Sequence, residues 1–432
     1  MSYSLRDSYE VQGVTMETLE EEIRDMEGKT EYLVVEPKLI TIASYKEKDQ
    51  GTSKDVFFDF SKENLKEGLK DDGRFIPLLK RFKVDPKDSR VNEELMEESL
   101  ASTGVVLIAP IKGKMTTLYV SPGGMAALAD KAGVGGANVN TPSNLRDLYI
   151  AEGLFKRVSP VKLVVRTITT EDGRTDRKVF GVLSEKYQPI SLELIPKTVK
   201  AFEIDGSMGT ASLAFWRNSQ EFTEAIVEYP DAADEMQTTY GLPETLIPGV
   251  RISTSDTGDA SVRIQSTYRR KNGRTYVVAN EVKKNHMGEI SVEKILKEVK
   301  ETIYAEISTI PGRMADLMGR TIGDGLVSTE TEQKKNRISV ERAIRNGIRE
   351  MKIGKAIGRT RAKELSDQMI AEINPTEIYT ECDIAMTFLG IGDRVENLPE
   401  NARKALEKAC AGAPFVDYQK RNTEVALLPE ED

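Results

Sequence analysis

V-K-L-V-V-R-T at residues 161–167 and D-R-K-V-F-G-V-L-S at residues 176–184 are the stretches that decide the fold. Both are rich in β-branched residues, and a polar turn containing Gly and Asp separates them, which is typical of a β-hairpin. Apolar runs at residues 104–110 and 115–120 predict two more strands upstream of it. The centre of the chain is therefore expected to be a sheet.

Helices are predicted around this sheet. Ser121 and Pro122 form a helix start, because serine caps the first turn and proline is tolerated at the first helical position. Apolar residues at helical spacing predict further helices over residues 291–307, 337–373 and 401–411. The expected fold class is α+β, with a mixed or antiparallel sheet core that contains hairpins and a helical C-terminal third.

The chain divides by composition into four regions. Residues 1–100 form an acidic N-terminal region, with 24 Asp and Glu against 16 Lys and Arg. Residues 101–325 hold the predicted α+β core, residues 326–422 the helical region, and residues 423–432 an acidic tail. A chain of 432 residues is long enough to bury a sizeable core.

The overall composition, with 39% apolar and 30% charged residues, fits a globular protein. No run reaches the roughly 18 apolar residues of a transmembrane helix, so no membrane partner is expected. Residues 1–10 are polar and lack the basic-then-apolar order of a signal peptide. We therefore expect a cytoplasmic location.

Histidine and cysteine are too few for most catalytic and metal sites. His286 is the only histidine and has a loop-like context, so a Ser-His-Asp triad would depend on it alone. Cys382 and Cys410 lie in helical sequence and are interpreted as small buried apolar residues. We expect no enzyme activity, no cofactor and no metal. A Mg²⁺ nuclease site made only of carboxylates is the open alternative.

A second hairpin is predicted at Asn272-Gly273, within S-V-R-I-Q-S-T-Y-R-R-K-N-G-R-T-Y-V-V-A-N-E-V-K-K at residues 261–284. Asn-Gly favours a type I′ turn, because both central residues of that turn need positive φ. This turn sets the register of the flanking strands. The predicted pairs are Lys271–Arg274, Arg269–Tyr276 and Ser266–Ala279.

One face of this hairpin is predicted to be basic, because side chains alternate between the two faces of a strand. It carries Arg263, Gln265, Thr267, Arg269, Lys271, Arg274, Tyr276 and Asn280. The other face, expected to be the core side, carries Val262, Ile264, Ser266, Tyr268, Val277 and Ala279. Cations suit phosphates and a tyrosine ring can stack on a base, so the basic face suits single-stranded nucleic acid. The alternative is a solvated outer face.

A strongly basic segment follows at residues 334–363. It contains 11 Lys and Arg and two acids, a charge of +9, which leaves −18 for the rest of the chain. Cations at intervals of three and four predict one helical face, formed by Arg342, Arg345, Arg349 and Lys352, opposite Val340, Ile344, Ile348 and Met351. Three interpretations are open: nucleic-acid binding, docking on the acidic region of the same or a neighbouring chain, and simple solvation.

Short motifs in the middle of the chain occur in an order known from one protein family. They are A-A-L-A-D-K-A-G-V, N-L-R-D-L-Y-I-A-E-G-L, V-V-R-T and V-F-G-V-L-S-E-K-Y-Q-P-I, and they include Arg166, Ser184, Tyr187 and Pro189. Over roughly residues 115–310 the chain resembles the phage/plasmid-like protein family of unknown function (domain of unknown function 932). The resemblance implies an origin in mobile genetic elements and a context of DNA transactions, and it transfers no catalytic residue.

The function predicted from the sequence is a phage-type, non-enzymatic protein that binds nucleic acid, with single-stranded DNA favoured, in replication or recombination. The predicted contact residues are Arg263, Arg269, Lys271, Arg274, Tyr276, Arg342, Arg345, Arg349 and Lys352. The alternative is a self-assembling structural protein of a phage virion or shell, because an acidic region and a basic helix suit head-to-tail contacts. A homo-oligomer is also expected, and the cytoplasm would be that of the host if a phage encodes the chain.

Overall fold

The computed structural model describes residues 3–46, 56–59, 80–83, 93–135, 143–169, 171, 173, 175–258, 261–284, 291–304, 307–395 and 397–420. These residues form two β-sheets, helices on the sheet faces, and a helical C-terminal part. The predicted α+β class with a mixed sheet core is confirmed. His286 and the acidic tail at 423–432 lie outside the described residues.

As predicted, the strands lie in the first two thirds of the chain and the last third is helical. The strands are β1 (Glu10–Gly13), β2 (Thr30–Val35), β3 (Thr41–Lys46), β4 (Val56–Asp59), β5 (Lys80–Lys83), β6 (Val105–Ile111), β7 (Lys114–Val120), β8 (Val161–Thr169), β9 (Thr175–Ser184), β10 (Ser212–Ser219), β11 (Thr223–Glu228), β12 (Leu246–Thr254), β13 (Val262–Arg270) and β14 (Tyr276–Lys284). The α-helices are α1 (Met16–Lys29), α2 (Glu93–Ser102), α3 (Pro122–Ala132), α4 (Asn144–Lys156), α5 (Leu194–Asp205), α6 (Pro230–Tyr240), α7 (Val292–Glu298), α8 (Thr309–Met318), α9 (Glu330–Glu350), α10 (Ile353–Ile357), α11 (Arg359–Ala371), α12 (Glu381–Leu389) and α13 (Glu400–Cys410). A π-helical segment, Val299–Tyr304, continues α7, and short 3₁₀ helices occur at Pro37–Leu39, Ile391–Arg394 and Ala413–Phe415.

Strands β2 to β9 form an eight-stranded sheet in the order β2-β8-β9-β7-β6-β3-β4-β5. Its neighbours are antiparallel except β7 and β9, which run parallel and pair at Val120 and Val179. Helix α3 packs closely on β9, since a Cβ on Gly124 would lie only 2.5 Å from the carbonyl oxygen of Val179. Ser121 caps α3 as predicted, because its hydroxyl accepts from the Gly124 backbone N–H at 3.0 Å.

Strands β1 and β10 to β14 form an antiparallel six-stranded sheet in the order β1-β10-β11-β12-β13-β14. One face packs on helix α5, with Val250, Ile252 and Ile264 of the sheet and Ile195 of the helix in one buried cluster. The described N-terminal strands belong to both sheets, since β1 pairs with β10, β2 with β8 and β3 with β6. They are therefore part of the core and not a separate attachment to it.

A buried polar cluster joins the two sheets. Arg166 of β8 donates to Asp256 at 2.7 Å and to the carbonyl oxygen of Gln220 at 2.8 Å. The side chains of Arg166 and Asp256 are 1% and 5% exposed. The Tyr3 hydroxyl donates to Gln220 at 2.7 Å, and burial raises its pKa to about 12. Arg166, which the family resemblance includes, is therefore buried between the sheets and holds them together.

Trp216 of β10 fixes the N-terminal strand to the six-stranded sheet. It is the only tryptophan of the chain, and it is buried. A Cβ on Gly13 of β1 would lie 2.7 Å from its ring, so this position has room only for glycine. The indole Nε1 donates to the carbonyl oxygen of Thr15 at 3.1 Å, which satisfies its one polar group.

Helices α8 to α13 surround a second apolar cluster in the C-terminal part. The cluster includes Tyr268 and Val277 of the β13–β14 hairpin, so the helices pack directly against the six-stranded sheet. Helices α9 and α12 come close together at Gly347, where a Cβ would lie 2.3 Å from the Phe388 ring. The helical region is therefore joined to the sheet core by a shared interior.

Both cysteines are buried in this cluster, Cys382 on α12 and Cys410 on α13. Burial raises the pKa of Cys382 to about 12, so its side chain is a thiol and not a reactive thiolate at neutral pH. Their interpretation as small buried apolar residues is confirmed.

Candidate nucleic-acid interface

The second predicted hairpin is present as β13 and β14. Its register matches the prediction at Arg269 and Tyr276, which are cross-strand partners. A β-bulge follows on β14, where Ala279 and Asn280 lie opposite Ser266 in the place of the predicted Ser266–Ala279 pair, and it shifts the remaining pairs by one residue. The two faces near the loop are therefore those that the sequence predicts.

The loop differs from the type I′ turn predicted at residues 272–273. Neither central residue has positive φ, and residues 271–275 separate the two strands. Asp393 holds this longer loop, because its carboxylate accepts from the Arg274 backbone N–H at 2.9 Å and from the Thr275 hydroxyl at 2.7 Å. The type I′ turn is therefore wrong, since a contact from a distant segment outweighs the local preference of Asn-Gly.

Arg269 and Tyr276 share a face as predicted, but both bind Glu228 of β11. Arg269 donates to the two carboxylate oxygens at 2.7 and 2.9 Å, and the Tyr276 hydroxyl donates to one of them at 2.8 Å. Hydrogen bonding to Glu228 raises the pKa of Arg269, and burial raises the pKa of Tyr276. The Tyr276 side chain is only 9% exposed, so its ring offers no stacking surface to a base.

The other predicted hairpin cations differ in exposure. Arg263 lies 4.0 Å from Glu281 and is 37% exposed. Lys271 and Arg274, predicted as a cross-strand pair, both lie in the loop and are exposed. The solvent-facing charge of the hairpin is therefore concentrated at its tip.

Helix α13 covers much of the polar sheet face. Arg251 of β12 donates to Glu407 at 2.6 Å, and the two side chains are 2% and 1% exposed. Arg403 donates to the other oxygen of Glu407 at 2.8 Å and lies 3.6 Å from Glu224 of β11. Glu224 also accepts from Arg217 at 2.9 Å. These groups form a buried ion network, which neutralises charges that would otherwise face solvent.

The titration of Glu224 reflects the positive surroundings of this network. Burial raises its pKa, but Arg251, Arg217, Lys404 and Arg403 together lower it below the ordinary value. Glu224 is therefore ionised at neutral pH although it is buried. Sequence reasoning missed the network, because Arg251 and Glu407 are 156 positions apart and no local pattern links them.

The second predicted set of contact residues lies on helix α9, which has the predicted amphipathic pattern. A capping box starts the helix: Thr329 accepts from the Glu332 backbone N–H at 3.3 Å, and the Glu332 carboxylate accepts from the Thr329 backbone N–H at 2.9 Å. Val340, Ile344 and Ile348 are buried in the C-terminal cluster. The predicted inner face is confirmed.

The outer face of α9 carries solvent-exposed cations, which we call the basic stripe: Lys334, Lys335, Arg342, Arg345 and Arg349. Within the described part of the chain, only Arg349 of these five makes a hydrogen bond or ion pair, to Asn346 and Glu350. Glu341 lies beside the stripe and pairs with Arg337 at 3.2 Å. The stripe is therefore largely unneutralised.

The basic stripe is about 22 Å long from Lys334 to Arg349, at about 1.5 Å per helical residue. Lys352 does not extend it as predicted, because this residue has a φ of 55° and lies between α9 and α10. Exposed cations continue beyond this break at Lys355, Arg359, Arg361 and Lys363. The charge of the segment is thus displayed over three helices.

The hairpin and the basic stripe do not form one surface. Tyr268 and Val277 of the hairpin belong to the same buried cluster as Val340 and Ile344 of α9. Each element turns its apolar side to this cluster, so the polar side of the hairpin and the outer face of α9 point in different directions. The nine predicted contact residues therefore lie in two separate parts of the structure.

No protein-family model, curated protein or solved structure matches this chain. The resemblance to the phage/plasmid-like family stays a prediction from sequence motifs. Within the ranges that the structure describes, no group of three or more His, Cys, Asp or Glu side chains is placed to hold a metal ion. None of the described helices combines the length and the apolar character needed to cross a membrane.

Proposed function

We propose that this chain binds nucleic acid through the basic stripe, by contacts to phosphates and without catalysing a reaction. The observation that carries the proposal is the set of five exposed cations on one face of a single helix. Such a face suits a row of phosphates, and each contact releases a condensed counterion. The proposal keeps the predicted nucleic-acid partner and moves the main contact surface from the hairpin to α9.

The distribution of charge supports this proposal. Residues 334–363 carry +9 in a chain whose net charge is −9. At physiological salt, screening limits the field of an exposed charge to about 8 Å, so an acidic remainder does not cancel a local basic face. Charges on a fixed helix also keep their spacing, which avoids the entropy loss of ordering a flexible basic tail on binding.

The basic stripe offers little for reading base sequence. Helix α9 contains no aromatic residue, and Ile338, 47% exposed, is the large apolar side chain on its outer face. Phosphate contacts carry no direct sequence information, so we expect sequence-independent binding. The preference for single strands depended on stacking at Tyr276, whose ring is buried. A role in phage replication or recombination remains tied to the family resemblance.

Fluorescence anisotropy with labelled 30-nucleotide single-stranded DNA, duplex DNA and RNA tests the proposal at about 50 and 200 mM salt. We expect binding that weakens steeply with salt, because released counterions carry the free energy. Arg342→Glu/Arg345→Glu should raise the Kd at least tenfold at the lower salt. It should also reduce the salt slope by about two, since two phosphate contacts are lost.

The matched control is Arg24→Glu/Lys186→Glu, which changes the net charge equally at two exposed cations outside the stripe. Its Kd should stay within about twofold of wild type, apart from a small long-range effect. Absence of wild-type binding at about 50 mM salt would refute the proposal. If the stripe and control variants lose DNA affinity equally, the binding is a non-specific attraction by net charge.

Self-assembly is the second candidate, because the basic stripe could instead meet the acidic N-terminal region of a neighbouring copy. Exposed acids in the described N-terminal part, such as Glu17 and Glu21 of α1, favour it. Sedimentation at high protein concentration separates the two functions. A structural protein would be favoured if the wild type assembles, does not bind DNA, and loses its assembly at high salt and in Arg342→Glu/Arg345→Glu.

A further inference from the structure

A cavity lies beneath the hairpin tip, between β14, the 3₁₀ helix Ile391–Arg394 and the start of α13. Its volume is about 290 Å³, near the lower end of the range for small-molecule sites. Its lining includes Arg274, Tyr276, Leu398, Arg403, Leu406 and Glu407. The cavity is separate from the basic stripe, since none of its lining residues belongs to α9.

Among the described lining residues of this cavity, Arg274 and Arg403 carry guanidinium groups and Glu407 carries a carboxylate. Glu407 is its acidic lining residue among those described, and Arg403 and Arg251 engage its two oxygens at 2.8 and 2.6 Å. Arg403 also lies 3.6 Å from Glu224, so two carboxylates already match the charges of Arg251 and Arg403. Arg274 adds another cation, and its side chain makes no hydrogen bond or ion pair within the described residues. An anion would balance this excess.

Arg274 is held in place through its backbone while its side chain is left available. Asp393 accepts from its backbone N–H at 2.9 Å and from the neighbouring Thr275 hydroxyl at 2.7 Å. Gly392 is packed against Thr275 so closely that a Cβ would lie 2.2 Å from its side chain. The loop is therefore fixed at the cavity mouth, which lowers the entropy cost of binding an anion there.

Three further lining residues are aliphatic, and Thr275 and Asn397 are polar. Val395, Leu398 and Leu406 contribute the aliphatic surface, and the largely buried Tyr276 also borders the cavity. The aliphatic part of this wall favours an organic body, while the guanidinium of Arg274 favours a phosphate. We infer that this cavity binds a nucleoside monophosphate, with the phosphate at Arg274 and the base against the aliphatic wall.

Isothermal titration of the full chain with thymidine 5′-monophosphate tests this inference, which is independent of the nucleic-acid proposal. We expect a Kd below about 1 mM and at least tenfold weaker binding of both thymidine and inorganic phosphate. Arg274→Gln should weaken binding at least tenfold, because it removes the available cation without touching the buried network. Lys271→Gln, at the same exposed tip, is the matched control and should leave binding unchanged.

A second variant, Leu398→Trp, tests the cavity by filling it. It should abolish nucleotide binding while the far-ultraviolet circular dichroism spectrum stays that of wild type. Arg342→Glu/Arg345→Glu should bind the mononucleotide normally, so loss of the basic stripe and loss of the cavity can be told apart. Absence of binding at millimolar nucleotide, or normal binding by Arg274→Gln, would overturn the inference.

The nucleotide could be free or could be the phosphorylated end of a strand. Competition experiments in Arg342→Glu/Arg345→Glu distinguish these sources, because the stripe no longer captures the strand. Displacement by a 5′-phosphorylated 12-mer, but not by its unphosphorylated form, would identify a strand end. Displacement by neither would identify a free nucleotide, and both results support the same chemistry at Arg274.

Discussion

The polar face of the β13–β14 hairpin and the outer face of α9 are both basic in sequence, but the structure treats them differently. On the hairpin, Arg269 is bound to Glu228, and helix α13 lies over the adjoining sheet face. On α9, Arg342 and Arg345 project into solvent and, among the described residues, have no ion-pair partner. Alternation and helical spacing identify which cations share a face. They do not show whether another element covers that face.

The difference has a physical origin in the cost of burying charge. A sheet face with several cations can be covered only if carboxylates accompany the covering element, because an unpaired buried charge costs several kcal/mol. Helix α13 supplies Glu407, and strand β11 supplies Glu224 and Glu228. No described element supplies acids to the outer face of α9 in this way, and that face stays in water.

The largest expected effect on stability comes from removing an ion pair on the sheet face that α13 covers. Glu407→Gln should lower the free energy of unfolding by about 3–5 kcal/mol, because it removes the carboxylate that accepts a hydrogen bond from the buried Arg251. Urea denaturation followed by circular dichroism measures the change. Glu364→Gln, at an exposed glutamate directly after the basic segment, is the control and should change stability by less than about 0.5 kcal/mol. Equal effects would mean that α13 does not seal the sheet.

A smaller loss of stability is expected from Tyr276→Phe. The variant keeps the ring and removes only the hydroxyl that donates to Glu228, a charged acceptor, so about 1.5–3 kcal/mol should be lost. Tyr149→Phe, at a half-exposed tyrosine of α4, should be nearly neutral. DNA affinity should be the same in both variants. Since an aromatic ring suffices for stacking, Tyr276→Leu with weakened DNA binding and unchanged stability would restore the stacking interpretation.

The basic stripe should tolerate substitution with little effect on stability. Arg342→Gln/Arg345→Gln is expected to change the free energy of unfolding by less than about 0.5 kcal/mol, as is usual for surface positions. The same urea titration applies. A loss above about 2 kcal/mol would show that these arginines pack against part of the chain. In that case the contrast with the hairpin face would disappear.

The pH dependence of stability should come from the covered face and not from the stripe. The folded-state pKa of Glu224 is lowered, so its contribution is complete above its ordinary value of 4.5 and is lost as the pH falls through the folded-state pKa. Thermal melts from pH 7 to pH 3 should show this loss in wild type and in Arg342→Gln/Arg345→Gln. The loss should be reduced in Glu224→Gln, and an identical profile in that variant would contradict the assignment.

Local sequence patterns predicted most elements and the inner and outer faces of α9. The β8–β9 hairpin, the Ser121 cap of α3 and the buried Val340 and Ile344 all follow from spacing over a few residues. The parallel pairing of β7 with β9 does not follow from such spacing, because it depends on where the chain re-enters the sheet after the intervening elements.

The candidate sites were less predictable, since contacts that are distant in sequence decide them. Asp393 replaces the Asn-Gly turn with a longer loop, and it lies 119 positions from Arg274. Helix α13 was predicted as a helix, but nothing in its sequence indicates that Glu407 would reach Arg251. The cavity at the hairpin tip depends on both contacts and could not have been found without the fold.

The position of Trp216 gives the chain a built-in optical reporter. Its indole reports on the six-stranded sheet and on the docking of β1, whereas circular dichroism reports on all helices and both sheets. The Arg166–Asp256 pair connects that sheet to the other one. Fluorescence and circular dichroism should therefore report coincident transitions in urea, the behaviour of one cooperative unit. Asp256→Asn should separate the two curves.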